Sequence, residues 1–200
     1  MKRLLRWLFV THRNKSLLLL LVLGLWYAFC LPRPLFDAPS CFVLESREGE
    51  LLGARIAADG QWRFPEVDSV PFKFEQALLA FEDRRFYNHP GVDPIGLGRA
   101  FWQNLKAGEI VSGGSTISMQ VIRLALKHPP RTVLRKMQEV ILATRLELGY
   151  SKAGILRLYA THAPFGGNVV GLESASWRYF GKQASLLSWG EAAVLAVLPN

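Results

Sequence analysis

Two hundred residues, half of them apolar and a fifth charged, are enough for one domain with a sizeable buried core plus a short appendage, and they exclude a disordered chain. The formal net charge is +8, but Lys2, Arg3, Arg6, Arg13 and Lys15 supply five of those charges before residue 16, so the remainder carries no nucleic-acid signature. Two cysteines, Cys30 and Cys41, are too few and too ill-spaced for a metal site.

In chain order, a basic tail over 1–15 precedes SLLLLLVLGLWYAFCLP, which has no charge between Leu17 and Leu31. It reads as a membrane segment over 16–32. The charge-free stretch reaches about 22 Å as a helix, short of the roughly 20 residues a span usually needs, so Lys15 and Arg33 would have to snorkel. Ala28-Phe29-Cys30 is a poor cleavage site, which favours an uncleaved anchor over a signal peptide. The basic side of such an anchor stays in the cytoplasm, leaving everything after residue 32 outside. Pro34 and Pro39 then mark an extended linker over 33–40.

CFVLESREGELLGARIAADGQWRF alternates apolar and polar residues between Arg47-Glu48-Gly49 and Asp59-Gly60, predicting a small β meander of two or three strands. From residue 74 the apolar period becomes three and four, so the body is mainly α, punctuated at His89-Pro90-Gly91, Ser112-Gly113-Gly114, His128-Pro129-Pro130 and Pro164–Gly167. The chain stops at AVLPN, directly after the apolar stretch Glu191–Leu198, which predicts a domain truncated at its C-terminus.

Three segments carry chemistry. In ALLAFEDRRFYNHPGVD, the stripe Phe74, Ala77, Leu78, Phe81 continues into Glu82 and Arg85, so Glu82 tends inward. A carboxylate at an apolar rim has a raised pKa and suits a general base, although an ion pair with Arg84 or Arg85 explains the same pattern without chemistry. In RTVLRKMQEVILATRLELGYSK, Leu134, Met137, Ile141 and Leu148 form one stripe. Leu142, Ala143 and Leu146 surround the opposite side, where Arg135, Lys136 and Glu139 sit together. Those cations, with Arg123, Lys127 and Arg131, suit a phosphate or pyrophosphate. In VSGGSTISMQVIRLALK, glycines lead into Ser115 and Thr116 at a helix start whose N–H groups could hold an anion, and Thr116, Gln120, Arg123 and Lys127 form one polar stripe. His89, in a turn signal, reads by itself as structural. Metal-type clusters and a Ser-x-x-Lys motif are absent from the sequence.

EDRRFYNHPGVD, GGSTISMQ, RKMQEVILATRLE, YSKAGILRLY, and GLESASWRYFGK with LSWGEAAVLAVLP together resemble the family 51 peptidoglycan glycosyltransferases, the polymerising domain of bifunctional penicillin-binding proteins and of monofunctional transglycosylases. The resemblance covers 41–200 and implies a lysozyme-like, mainly α fold. It implies that Glu82 deprotonates the sugar 4-hydroxyl of incoming lipid II, and that Glu139, with Arg135 and Lys136, helps the pyrophosphate leave the growing strand. It places Asp83, Arg85, His89, Arg99, Ser115, Thr116, Gln120, Arg123 and Arg131 among residues that build or line the groove. No cofactor is required on this reading, with Mg or Mn as an optional aid to the pyrophosphate.

The partners it implies are lipid II, the growing glycan strand, the membrane and other cell-wall synthesis proteins, not nucleic acid, at the bacterial inner membrane with the domain on the periplasmic side. Inversion from an α-linked donor to a β-1,4 product implies a carboxyl gap at least as wide as the roughly 6.5 to 9.5 Å of inverting glycosidases. Two departures are expected to matter: Met119-Gln120 where the family has paired glutamines, costing one amide contact in the groove, and Tyr159-Ala160-Thr161 where it has Tyr-x-Asn. The competing readings are a lytic glycan-cleaving enzyme, which needs no pyrophosphate-binding cations, and an inactive membrane-anchored scaffold or partner-binding fragment.

Overall fold

The computed structural model describes residues 13–109, 113–127 and 132–199, in two compact units, Met1–Leu35 and Phe36–Asn200. In the first unit, helix α1 (Arg13–Phe29) exposes Leu17 to Val22, Leu23, Leu25 and Trp26. Its 17 residues amount to about 25 Å of helix. Among the described residues no helix is long and apolar enough to cross a membrane. Lys2, Arg3 and Arg6 of the basic tail lie outside the described residues.

The second unit opens with a hairpin in which β1 (Phe42–Glu45) pairs antiparallel with β2 (Leu51–Arg55), Phe42 opposite Arg55 and Leu44 opposite Gly53. The turn is closed by Ser46, whose Oγ accepts from the N–H groups of Glu48 and Glu50 at 3.1 Å each. The third strand does not extend this sheet. β3 (Trp62–Arg63) pairs in parallel with β4 (Val169–Val170), more than a hundred residues later, so the expected meander is a hairpin and a separate two-stranded ribbon. The physical reason lies in the turn before β3: Gly60 N–H bonds to the Ala57 carbonyl and redirects the chain, and Trp62 N–H then finds Asn168 O at 2.7 Å. Cys41, Ala57 and Phe64 are buried together beneath Val43, Leu51, Trp62 and Trp177.

Among the described residues seven α-helices follow: α2 (Phe72–Glu82), α3 (Pro94–Ala107), α4 (Ile117–Ala125), α5 (Val133–Glu147), α6 (Lys152–His162), α7 (Leu172–Phe180) and α8 (Trp189–Val197). Side-chain caps start most of them: Asp93, Thr116, Thr132, Ser151 and Ser188 each accept a backbone N–H of the first turn. Helix α4 is the centre. It packs on both α5 and α6, and Ile117, Ser118, Met119, Val121 and Ile122 are all buried. Helix α2 packs against α8, with the Phe72 and Trp189 rings edge to face at 6.1 Å, and buries Phe74 and Leu78, both at 0% exposure and each worth about 1.5 to 3 kcal/mol of burial.

Helix α5 turns its other side to the core from the one its longest apolar stripe implies. Leu134, Met137 and Leu148 are 78%, 58% and 73% exposed, whereas Leu142, Ala143 and Leu146 are buried with Glu139. Close approach decides this orientation. Gly91 sits so near α5 that an added Cβ would lie 2.6 Å from the Ala143 carbonyl oxygen, and only a face with a small residue admits that contact.

Candidate active site

Helix α2 ends at Glu82 because Asp83 leaves the helical region, at φ −155° and ψ 74°. Two consequences follow for the acid pair. Asp83 turns inward and is buried, accepting from His89 Nε2 at 3.0 and 3.1 Å and from Ile117 N–H at 3.1 Å. A carboxylate can only accept, so Nε2 is the nitrogen that carries the His89 proton. Glu82 stays half-buried at the last position of α2, with Oε2 receiving a hydrogen bond from Gln120 Nε2 at 2.6 Å. Burial raises the Glu82 pKa, the Gln120 amide opposes the rise, and the neighbouring Asp83 adds to it. The negative end of the α2 dipole acts in the same direction as burial.

Arg85 falls beyond the helix rather than continuing its stripe. It forms a two-pronged ion pair with Asp93, with Nη2 2.6 and 2.8 Å from the carboxylate oxygens and Nε at 3.1 Å. Asp93 also caps α3, so Arg85 fixes the start of that helix.

The start of α4 is not an open anion site. Ile117 N–H is taken by Asp83 and Met119 N–H by Thr116 Oγ1, while the Thr116 hydroxyl donates to Gly91 O. Thr116 therefore joins the His89-Pro90-Gly91 turn to α4. The polar stripe along α4 is shorter than expected, since Lys127 lies past its end in the left-handed region at φ 57°. Met119 is at 0% exposure, so its side chain belongs to the core and removes no amide from the groove.

A second polar group assembles beside the loop before α4. Lys136 Nζ donates to Ser115 Oγ at 2.6 Å and lies 3.3 Å from Glu139 Oε2, and Glu139 is itself buried at 8% exposure. An acid one turn after a lysine on the same helix, buried as Leu142 and Ala143 are, is held in place by that ammonium. Arg135 is exposed and bonds Gln138 at 2.8 Å. Arg123 Nε is enclosed without a hydrogen-bond partner among the described residues. Arg99 is exposed on α3, and Arg131 lies outside the described residues. Among the described residues, no group of three or more His, Cys, Asp or Glu side chains is placed to hold a metal ion.

The supporting layer contains residues that sequence reasoning missed. Lys152 Nζ donates to His89 O at 2.7 Å and to Glu147 Oε1 at 2.8 Å and lies 4.3 Å from the centre of the Phe86 ring. Ser118, inside α4, donates to the same Glu147 oxygen. The readable signal was Tyr150-Ser151-Lys152, where Ser151 caps α6 and leaves the lysine on its first turn.

The sequence profile described as Transglycosylase matches residues 49–200. The chain belongs to the transglycosylase family. It is 44% identical over 183 residues to penicillin-binding protein 1C of Escherichia coli K12, which covers 90% of this chain and 24% of that protein. It is 40% identical over 141 residues to a biosynthetic peptidoglycan transglycosylase of Acinetobacter baylyi, covering 70% of this chain and 62% of the relative. Penicillin-binding protein 1F of Bacillus subtilis is 41% identical over 134 residues, or 19% of its length. The chain thus spans about a quarter of the Escherichia coli protein and most of the transglycosylase from Acinetobacter. The mainly helical body is the transglycosylase domain, and both acid-bearing helix segments, at Glu82 and Glu139, fall inside the match.

Proposed function

We propose that the chain is a peptidoglycan glycosyltransferase that polymerises lipid II into β-1,4 glycan strands, inverting the anomeric carbon and releasing undecaprenyl pyrophosphate. The observation that carries this reading is the separation of the two acids into different environments. Glu82 has a raised pKa at an apolar helix end, aligned by Gln120, while Glu139 is held by Lys136 beside Ser115. A base and a cation-paired acid on different helices are what a transfer away from a pyrophosphate requires.

Glu82 accepts the proton of the incoming sugar 4-hydroxyl as that oxygen attacks the anomeric carbon of the growing strand. The bond from that carbon to the pyrophosphate oxygen breaks on the opposite face. Lys136 meets the developing charge, with Arg123, Arg131 and Arg135 as further cations, and Glu139 keeps the Lys136 ammonium aimed. Asp83, His89, Arg85 and Thr116 build the site through the contacts described above, and Arg99 takes part only through substrate.

The relatives' printed names, biosynthetic peptidoglycan transglycosylase and penicillin-binding protein, support the reaction class and a role in cell-wall synthesis. Residues 16–32 serve as a single membrane anchor and 33–40 as a linker, placing the domain over 41–200 on the periplasmic side of the inner membrane, next to a lipid-linked substrate. The anchor is supported by the charge-free run from Leu17 to Leu31 and its exposed leucines. The test is product analysis with lipid II: release of undecaprenyl pyrophosphate together with β-linked polymer supports the reading, and cleavage of preformed glycan with no release contradicts it.

A further inference from the structure

Lys152 opens α6, and its ammonium is held on three sides. Nζ donates to His89 O at 2.7 Å and to Glu147 Oε1 at 2.8 Å, and it lies 4.3 Å from the centre of the Phe86 ring. An ammonium has three N–H groups, and here a carbonyl, a carboxylate and a ring face surround it. The Lys152 side chain is 21% exposed and that of Glu147 only 8%. Taking such a pair out of water gains little or nothing in stability over an apolar pair of the same size. What the pair supplies is a fixed position for the His89 carbonyl.

That carbonyl belongs to the segment joining Glu82 to α3. Along it, Lys152 holds His89 O, Thr116 Oγ1 holds Gly91 O, and the His89 ring returns through Nε2 to the Asp83 carboxylate at 3.0 and 3.1 Å. Asp83 is the residue at which α2 ends, and its Oδ2 also takes Ile117 N–H at the start of α4. Gln120, three residues further along α4, meets Glu82. Two hydrogen bonds therefore separate Lys152 from the residue that ends α2 beside Glu82.

We propose that Lys152 is a positioning residue for Glu82, locking the His89 turn so that Asp83 ends α2 at one place and leaves Glu82 at the rim. Its effect passes through His89 and Asp83, and Lys152 touches no reacting atom. Glu147 aims the ammonium, and Ser118 Oγ, which donates to the same Glu147 oxygen, ties that carboxylate to α4. A planar guanidinium cannot present single N–H groups to a carbonyl, a carboxylate and a ring face at once, so the position requires lysine and not arginine.

The effect on rate rests on the proposed transferase reaction; the effect on His89 does not. The test uses the full chain in detergent micelles and the double variant Lys152→Met with Glu147→Gln, which removes both charges and leaves no buried carboxylate unpaired. Two quantities are measured: exchange of the His89 Nε2 proton with solvent by ¹⁵N NMR, assigned by its loss in His89→Gln, and kcat and KM for lipid II polymerisation. In the double variant the proton exchanges about tenfold faster or more, the scale on which one hydrogen bond to a charged group shifts a local opening. Its kcat falls by roughly ten- to a hundredfold with KM unchanged, as for a misplaced reacting group. Lys152→Arg keeps the charge beside Glu147, so the chain folds, and it shows both changes in smaller measure. Lys73→Met breaks a lysine-to-carbonyl bond of the same kind, 2.8 Å to Leu187 O at the opposite end of α2 from Glu82, and changes neither quantity. Unchanged exchange in the folded variants, faster exchange with kcat unaltered, or equal changes in Lys73→Met overturns the proposal. If the unaltered chain makes no polymer while the Lys152 variants release the His89 proton, the lock on the turn stands and the functional reading is overturned instead.

Discussion

Gln120 Nε2 meets Glu82 Oε2 at 2.6 Å, joining the middle of the central helix to the last residue of α2. The adjacent Asp83 is joined to the same helix less than one turn earlier, at Ile117 N–H. The acid pair is therefore divided: one carboxyl is spent on structure, and the other is positioned at a rim.

Removing the Gln120 amide takes away the hydrogen bond that lowers the Glu82 pKa against burial. In Gln120→Ala the base is protonated at higher pH, so the acid limb of the rate profile moves up. Hydrogen bonds to charged groups are worth about 1.5 to 3 kcal/mol, roughly a tenfold or larger change in the protonation equilibrium of Glu82. A pH-rate series on lipid II polymerisation checks the direction.

The raised pKa of Glu82 also carries a cost in stability. Its folded pKa is raised, so the unfolded chain ionises first as pH increases, and the native state loses stability over the interval above the ordinary carboxylate value. Glu82→Gln keeps the shape and removes the charge. The variant is expected to melt higher than the unaltered chain at pH 7.5, with the gap closing at pH values where Glu82 is protonated in both states; thermal melts across that range check it.

Helix α8 is started by a capping box in which Ser188 Oγ accepts from Glu191 N–H and Glu191 accepts from Ser188 N–H, with Lys182 paired to the same carboxylate at 2.9 and 3.0 Å. The Lys182 ion pair and the Ser188 bonds pull the Glu191 pKa down to about 2. A depressed carboxylate stabilises the fold above its unfolded value and loses that contribution as pH falls toward about 2. Ser188→Ala is expected to cost about 1 kcal/mol, and Glu191→Gln to matter at neutral pH and not in strong acid. Urea unfolding at both pH values measures this.

Gly91 has φ 91° and carries the carbonyl that receives Thr116. Gly91→Ala meets the Ala143 carbonyl and a left-handed backbone together, costing at least the roughly 1 to 3 kcal/mol of the conformation alone. Both the melting temperature and the polymerisation rate are expected to fall, because this turn links α4, α5 and His89.

The helical body and the inward tilt of Glu82 were legible in the sequence because period and burial agree along α2, where Phe74 and Leu78 are fully enclosed. Arg85 was misplaced because nothing in EDRR signals that Asp83 ends the helix; the buried bonds to His89 and Ile117 do that, and they come from residues six and thirty-four positions away. The two sides of α5 are both apolar, so hydropathy could not choose between them. Gly91 chose by closeness of approach. The third strand escaped the meander for a similar reason, since its partner at Val169 lies at the other end of the domain. The glycines before α4 fit a loop with an N-cap better than an anion site, and Thr116 caps the helix while Asp83 takes the Ile117 N–H from inside the protein. Local pattern registers which residues face inward, and misses which distant group they find there.

The central claim is that Glu82 is the base of a glycan polymerase. The most direct measurement compares the detergent-solubilised chain with Glu82→Gln on fluorescent lipid II, resolving polymer on a gel. The account predicts glycan polymer from the unaltered chain and a loss of about two orders of magnitude or more in the variant, the scale of general base catalysis. Polymer made equally by both, from proteins shown to be folded, would contradict it.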